Sequence, residues 1–142
     1  MTVVGFNFNK IIVERDKPLQ GKVSINNNIA ITNVEDKDLA LGGMKQVGLR
    51  VLFEYSVKYA NEAKETLAHI DLEGEVLILD EEPKVKEVVA DWKKNKKVGQ
   101  ELTLKVLNNA LVKCNIQSMI LSRDLNLPSP IPLPKVEAGQ KA

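Results

Sequence analysis

Two stretches in the middle of the chain alternate between apolar and polar residues. From Val47 to Tyr59 the apolar side chains occupy odd-numbered positions, and from Leu67 to Leu79 they recur mainly at even-numbered positions. A period of two is typical of a strand with one buried face and one wet face. The polar break ANEAKE between the stretches is only as long as a turn. The pattern therefore predicts two adjacent antiparallel strands that form a hairpin.

Two further strands are predicted nearer the start of the chain. Phe6, Phe8 and Ile12 indicate the first of them. The apolar alternation from Val23 to Ile31 indicates the second, with Asn27 as its one exception. Together with the hairpin, these strands make four antiparallel strands in all.

Two connections join these strands to one another. A loop that contains Pro18 and Gly21 links the first strand to the second. The segment from Asp36 to Gln46, which holds the pair Gly42-Gly43, is predicted to be the connection to the third strand.

After Asp80 the apolar spacing becomes helical. A first helix is predicted because Pro83 suits an opening turn and the acidic residues before it lie at the positive end of the helix dipole. Gly99 is predicted to stop this helix. Its apolar stripe follows the spacing i, i+3, i+4, i+7. The stripe consists of Val85, Val88, Val89 and Trp92.

A second helix is predicted from about Gln100 to about Arg123, and it is apolar on two sides. One stripe consists of Leu104, Leu107, Leu111, Cys114 and Leu121. The other stripe consists of Leu102, Val106, Ala110, Met119 and Ile120. Since one sheet contact covers only one stripe, a helix of this kind is usually sandwiched between partners. We expect the second stripe to mediate self-association.

Strands followed by helices indicate an α+β domain, with both helices packed on one face of an antiparallel sheet. The chain has 142 residues, of which 44% are hydrophobic, so it is long enough to bury a core as one domain. We expect this single domain to span residues 1–136 and a short polar tail to span 137–142.

Composition excludes several classes of protein. The formal charge of +1 creates no global field toward nucleic acid or an anionic membrane. A single cysteine allows no internal disulfide, and no apolar run reaches the ~20 residues of a membrane helix. The first residues lack the pattern of a secretory signal. We expect a cytoplasmic protein that does not insert into a membrane.

The segment LNLPSPIPLPKV near the C-terminus has proline at every second position. In an extended chain this spacing removes all N–H donors from one edge, so the segment can dock on a surface without recruiting another strand. One interpretation is a stiff cover over the core, which the apolar Ile131 and Leu133 favour. The alternative is a role in binding a polypeptide client.

The order of four strands, two helices and a Leu/Pro-rich tail resembles the SecB family of export chaperones. The resemblance covers roughly Phe6 to Val136 and depends on the element order and the tail segment. It implies a chaperone that holds unfolded polypeptides without ATP, needs no cofactor and assembles as a dimer or tetramer. Client-binding grooves are expected near five residues. These are Phe6, Phe8, Leu19, Ile131 and Leu133.

The chain also departs from the family pattern. SecB proteins are typically acidic and have a longer proline-rich crossover between the first two strands, whereas this chain is nearly neutral and has the brief segment RDKPLQGK. The family binds the SecA motor through acids on the outer sheet face, and His69 stands where one such acid is expected. Asp71, Glu73 and Glu75 follow on the same face. These departures argue against SecA as a partner.

The remaining candidate residues do not form a catalytic or metal-binding pattern. His69 is the only histidine, and a lone histidine without a nearby His or Cys is interpreted as a surface strand residue. Cys114 lies on an apolar helical stripe, where a cysteine behaves as a small hydrophobe. In WKKNKK, Trp92 belongs to the apolar stripe, which disfavours nucleic-acid binding.

We therefore predict a non-enzymatic protein. The leading hypothesis is a chaperone that binds non-native polypeptides. The alternatives are a structural or adaptor subunit with a fixed protein partner, and an enzyme whose residues are scattered along the chain.

Overall fold

The computed structural model describes residues 1–134, with the side chain of Leu41 left out. Four strands come first: β1 Thr2–Arg15, β2 Ser24–Leu41, β3 Met44–Ala60 and β4 Thr66–Leu79. Two helices follow: α1 Glu82–Asn95 and α2 Gln100–Asp124. The predicted α+β class and element order are confirmed. The predicted polar tail at 137–142 and the boundary at residue 136 lie outside the described residues.

The strands form one antiparallel sheet in the order β1-β4-β3-β2. The predicted hairpin of the two most regular stretches is confirmed, since Leu49 pairs with Ile78 and Tyr55 pairs with Leu72. β1 and β2 therefore lie at opposite edges of the sheet. The chain between Arg15 and Ser24 must cross from one edge to the other.

The prediction of a connection from Asp36 to Gln46 is wrong. β2 and β3 pair continuously up to Leu41 and Met44, so only Gly42 and Gly43 form the turn. Both glycines have positive φ, 60° and 82°, as the two-residue hairpin turn that matches strand twist requires. The segment from Glu35 to Asp38 is charged, so it lacks the apolar alternation by which a strand is recognised in the sequence. Its backbone nevertheless pairs with β3.

The core lies between one face of the sheet and both helices. The odd-numbered side chains of β3 and the even-numbered ones of β4 are buried there, as their alternation predicts. α1 contributes Val85, Val89 and Trp92 to this core, and α2 contributes a row that begins at Leu102. Both helices therefore cover the same face, as predicted.

The end of α1 differs from the prediction. Lys96, not Gly99, adopts the left-handed conformation after the helix, with φ of 54°. Its N–H donates to the carbonyl of Trp92 at 2.8 Å, and its ammonium lies 5.5 Å from the centre of the Trp92 ring. These two contacts hold a residue other than glycine in this conformation. Gly99 instead precedes the first residue of α2.

Gly74 on β4 makes room for an aromatic cluster. It pairs with Phe8 on β1 and with Phe53 on β3. Phe6 stacks on Phe53 with ring centres 5.5 Å apart and meets Phe8 edge-on at 4.9 Å. A Cβ at Gly74 would lie 2.5 Å from the carbonyl oxygen of Asn7 and 2.7 Å from the Phe53 ring. A side chain at this position would therefore push β1 away from β4.

We predict that Gly74→Ala lowers the free energy of unfolding by at least about 2 kcal/mol, because the backbone of β1 must shift. Gly99→Ala is the matched control, since a Cβ there meets nothing within 4 Å. It should cost about 0.5 kcal/mol through the weaker helix cap. Urea unfolding of both variants measures the difference, and equal midpoints would contradict the packing described here.

Candidate functional site

The side of β1 that faces the helices carries a row of apolar side chains. These occupy even-numbered positions just before the middle of the strand and odd-numbered positions after it. Phe6 pairs with the core residue Val76, and Ile11 pairs with the core residue Leu72. The register shifts between Phe8 and Lys10, so one extra residue lies in β1. Because of this bulge, the positions that face the helices are even-numbered just before Asn9 and odd-numbered after it. Phe6, Phe8, Ile11 and Val13 therefore share the helix side of the sheet, and we call them the β1 shelf.

Ile12, which the sequence grouped with Phe6 and Phe8, lies on the opposite face. It pairs with Asp71 and lines a cavity of about 140 Å³ together with Glu54 and Glu73. The sequence could not reveal this change, because a bulge at Asn9 carries no clear residue signal.

The β1 shelf is only partly covered. Phe6 and Phe8 are half-buried, and Ile11 is 45% exposed. β1 is an edge strand, and within the described residues it pairs only with β4. Its outer N–H and C=O groups therefore run beside a partly exposed apolar row.

α2 places one basic side chain against the β1 shelf and another beside the start of the chain. The ammonium of Lys113 lies 4.4 Å from the centre of the Phe6 ring, a cation–π contact. Lys105 donates a hydrogen bond from its ammonium to the carbonyl of Met1 at the start of the chain. The site thus combines an apolar floor, a free strand edge and a positively charged border.

The proline-rich segment docks on the sheet from the β2 side. The hydroxyl of Tyr59 donates to the carbonyl of Pro128 at 2.6 Å, and the side-chain amide of Asn27 donates to the carbonyl of Pro130 at 3.1 Å. Leu127 and Pro130 are buried. The Asn27 contact explains the one polar exception in the β2 alternation. Burial beneath this segment raises the pKa of Tyr59 to about 12.

The structure does not bring the five predicted groove residues together. Phe6 and Phe8 lie on β1, and the proline segment contacts β2 and β3. Ile131 is half-buried, whereas Leu133 is 53% exposed. Leu19 lies in the crossover and packs partly against the core. The five residues therefore do not line one groove, because the strand order separates these segments.

α2 is apolar on two opposite sides, but the members of each side differ from the prediction. The buried row has an i+4 spacing and consists of Leu102, Val106, Ala110, Cys114, Ser118 and Ser122. The exposed row consists of Leu104, Val112, Ile116 and Ile120. Each exposed residue follows a buried position by two, which is ~200° around the helix.

Three of the five residues predicted for self-association lie instead in the core. Leu102, Val106 and Ala110 are at most 2% exposed and pack in the core of this one chain. Met119 is half-buried, and Ile120 belongs to the exposed row. The stripes were misassigned because the sequence alone does not show which positions of α2 face the sheet. The helix packs through one i+4 row, which winds ~40° per step around the helix axis.

The outer face of the sheet is polar, and four of its acids already have partners. Arg50 contacts both Glu75, whose side chain is 9% exposed, and Glu35. His69 contacts Asp71 at 2.6 Å and Glu14 at 3.1 Å. Burial lowers the pKa of His69, but the hydrogen bonds and charges of these two carboxylates outweigh it and raise the pKa.

The other candidate residues lie in the core. Cys114 is fully buried, and burial raises the pKa of its thiol to about 12, which disfavours a thiolate. Trp92 is also buried, and its ring N–H donates to the side-chain oxygen of Asn33 at 3.1 Å. Its ring is therefore not free for stacking on a base. Among the described residues, no helix is both long and apolar enough to span a membrane.

Comparisons with known proteins give one informative result. No family model and no curated protein sequence matches the chain. Among solved structures, the chain is similar to the SecB-like chaperone Rv1957 of Mycobacterium tuberculosis, in complex with a ChAD peptide from the Rv1956 HigA1 antitoxin. The TM-score is 0.59 at 12% identity, and the match covers 98% of this chain and 92% of that chain. The chain therefore has the SecB-like fold that its element order predicts, and this neighbour in fold is a chaperone.

Proposed function

We propose that this protein is a cytoplasmic, SecB-like chaperone that binds unfolded polypeptides without ATP. The observation that carries the proposal is the β1 shelf, a partly exposed apolar row beside a free strand edge. The likeness in fold to a chaperone in complex with a peptide supports it. Binding a non-native segment is the function that such a surface serves most directly.

An extended client segment would bind to β1 as an additional strand. Its backbone would pair with the free N–H and C=O groups of β1, which gives affinity without sequence choice. Its alternate side chains would pack on the β1 shelf, and each large one contributes roughly 1.5–3 kcal/mol when fully buried. Several weak contacts of this size permit reversible holding without an energy source.

The bulges of β1 would limit this pairing to short stretches. The register shifts once between Val3 and Gly5 and again between Phe8 and Lys10. Each shift interrupts the regular ladder of an edge, which protects natural sheets from uncontrolled strand addition. We infer that β1 captures short segments and does not nucleate aggregation.

The proline segment has a different role in this proposal. Its carbonyl contacts with Tyr59 and Asn27 and its buried Leu127 and Pro130 favour the cover interpretation. We propose that it shields the β2 side of the core, so clients bind at β1 and not at Ile131 or Leu133.

The exposed row of α2 is the proposed surface for self-association. It offers four large apolar side chains on the side of the helix away from the sheet. A second copy that brings the same row would bury both rows, and closed two-fold symmetry is the commonest arrangement of oligomers. A dimer or tetramer is therefore expected. The same row would also serve an adaptor subunit with one fixed partner.

Replacement of Ile11 on the β1 shelf tests client binding. Ile11→Ser removes a shelf side chain that is already 45% exposed, so stability should change little. Affinity for unfolded clients should fall by about 1 kcal/mol, roughly a fivefold higher Kd. Met44→Ser is the control, because Met44 is 68% exposed at the β2–β3 turn. Titrations with several unrelated unfolded proteins measure both variants.

Equal affinities of wild type and Ile11→Ser, with both variants folded, would contradict the role of the β1 shelf. Binding to a single native partner and to no unfolded protein would instead support the adaptor alternative.

Replacement of Val112 in the exposed row of α2 tests self-association. Val112→Glu introduces a charge into the exposed row at a residue that is 61% exposed, so the monomer fold should tolerate it. Light scattering should report a dimer or tetramer for the wild type and a monomer for the variant, because burying an unpaired carboxylate is unfavourable. Met44→Glu should keep the wild-type mass. A wild-type monomer at micromolar concentration would refute this interface.

A further inference from the structure

A histidine and three carboxylates meet on the outer face of the sheet, opposite the helices. Glu14 on β1 pairs directly with His69 on β4. Asp16 follows Glu14 by two positions and Asp71 follows His69 by two, so alternation favours the same face for each. Donor atoms of Glu14, Asp16 and His69 all lie within 4.8 Å of one another. His69 lies more than fifty positions after Glu14 and Asp16 in the sequence, and only the strand pairing brings them together.

Both ring nitrogens of His69 face carboxylate oxygens. Nδ1 lies 2.6 Å from Oδ2 of Asp71, and Nε2 lies 3.1 Å from Oε2 of Glu14. A neutral imidazole has only one N–H, so it can donate to one of these oxygens but not to both. At the other contact, the lone pair of the ring nitrogen would face a lone pair of the carboxylate oxygen, and the two would repel each other. A positive charge between Nε2 and Glu14, either a proton or a metal ion, removes this repulsion.

The spacing of Nε2 and the Glu14 oxygen fits two ligands of one metal ion, and an oxygen of Asp16 lies within 4.8 Å of both. A tetrahedral zinc site with arms of about 2.0–2.1 Å has ligand atoms ~3.3 Å apart, close to the separation of Nε2 and the Glu14 oxygen. Asp71 accepts from Nδ1–H and thereby leaves the lone pair on Nε2. A carboxylate that orients a ligand histidine in this way is the usual arrangement around protein-bound metals.

The charge balance also favours a cation. Three carboxylates surround one imidazole, and the neighbouring Lys10 lines a cavity with Asp71 and Glu73. Two other neighbouring cations are engaged elsewhere. Lys17 pairs with Glu65, and Arg15 donates to the carbonyl of Leu125 at 3.4 Å. Lys58 pairs with His69 across the β3–β4 ladder, but within the described residues it forms no ion pair with these carboxylates.

We propose that Nε2 of His69 and the carboxylates of Glu14 and Asp16 bind a divalent transition-metal ion of the Zn²⁺ type, with Asp71 as the positioning residue. His69 lies on β4, Glu14 lies at the end of β1, and Asp16 lies at the start of the crossover. A bound ion would therefore fasten the crossover to the sheet. The site lies on the face opposite the β1 shelf, so it is independent of the proposed client binding.

Calorimetric titration of the untagged full chain with Zn²⁺ tests the proposal. The wild type should bind one ion, and its melting temperature should rise with Zn²⁺ because only the folded state assembles the ligands. His69→Gln should abolish binding, and Asp71→Asn should weaken it by about 10–100-fold. Glu73→Gln is the matched control, an exposed acid on the same face of β4, and it should bind as the wild type does.

Nuclear magnetic resonance of the imidazole provides a second readout, since the chain has a single histidine. Addition of Zn²⁺ to the wild type should shift the Nε2 resonance. A shift confined to the Nδ1 resonance would not fit the proposed ligand atom. Absence of Zn²⁺ binding, equal binding by His69→Gln, or equal binding of Mg²⁺ would each overturn the proposal. The first outcome would leave a proton as the cation, and the last would leave a nonspecific acidic surface.

Discussion

The packing of α2 on the sheet through one tapering row of side chains determines the rest of the structure. The row begins with Leu102 and Val106, narrows to Ala110 and Cys114, and ends with two serines. Where the row is narrowest, the sheet supplies the large ring of Tyr55, whose hydroxyl lies 3.3 Å from the hydroxyl of Ser118. Large residues on one element thus meet small residues on the other, which is how interiors reach close packing.

This single contact leaves two apolar surfaces that residues 1–134 do not cover. The helix side opposite the row must face outward, because α2 forms the outermost layer there. The helices cover only part of the edge strand β1, so Phe8 and Ile11 remain partly exposed. A chain that only needed to fold would gain little from either surface. Both become useful in a protein that binds copies of itself and segments of other chains.

The sequence predicted the elements with regular periods and missed the features that depend on long-range pairing. The alternation from Val47 to Tyr59 and from Leu67 to Leu79 is regular because both strands lie in the middle of the sheet with one face buried. The end of β2 could not be recognised, because four consecutive charged residues, from Glu35 to Asp38, interrupt the apolar alternation between the buried Val34 and Leu39. The bulge at Asn9 and the meeting of Glu14 with His69 arise only from the register of β1 on β4. Asn27 was noticed as an exception, but its partner at Pro130 is 103 positions away.

Amide hydrogen exchange with and without an unfolded client tests most directly the claim that clients bind along the free edge of β1. In the free protein, the β1 amides that point away from β4 should exchange quickly, because no strand within residues 1–134 pairs with that edge. A saturating client should slow these amides between Gly5 and Val13, and it should leave residues 127–133 of the proline segment unchanged. Slower exchange in the proline segment, with none along β1, would contradict the account and return the client site to the tail.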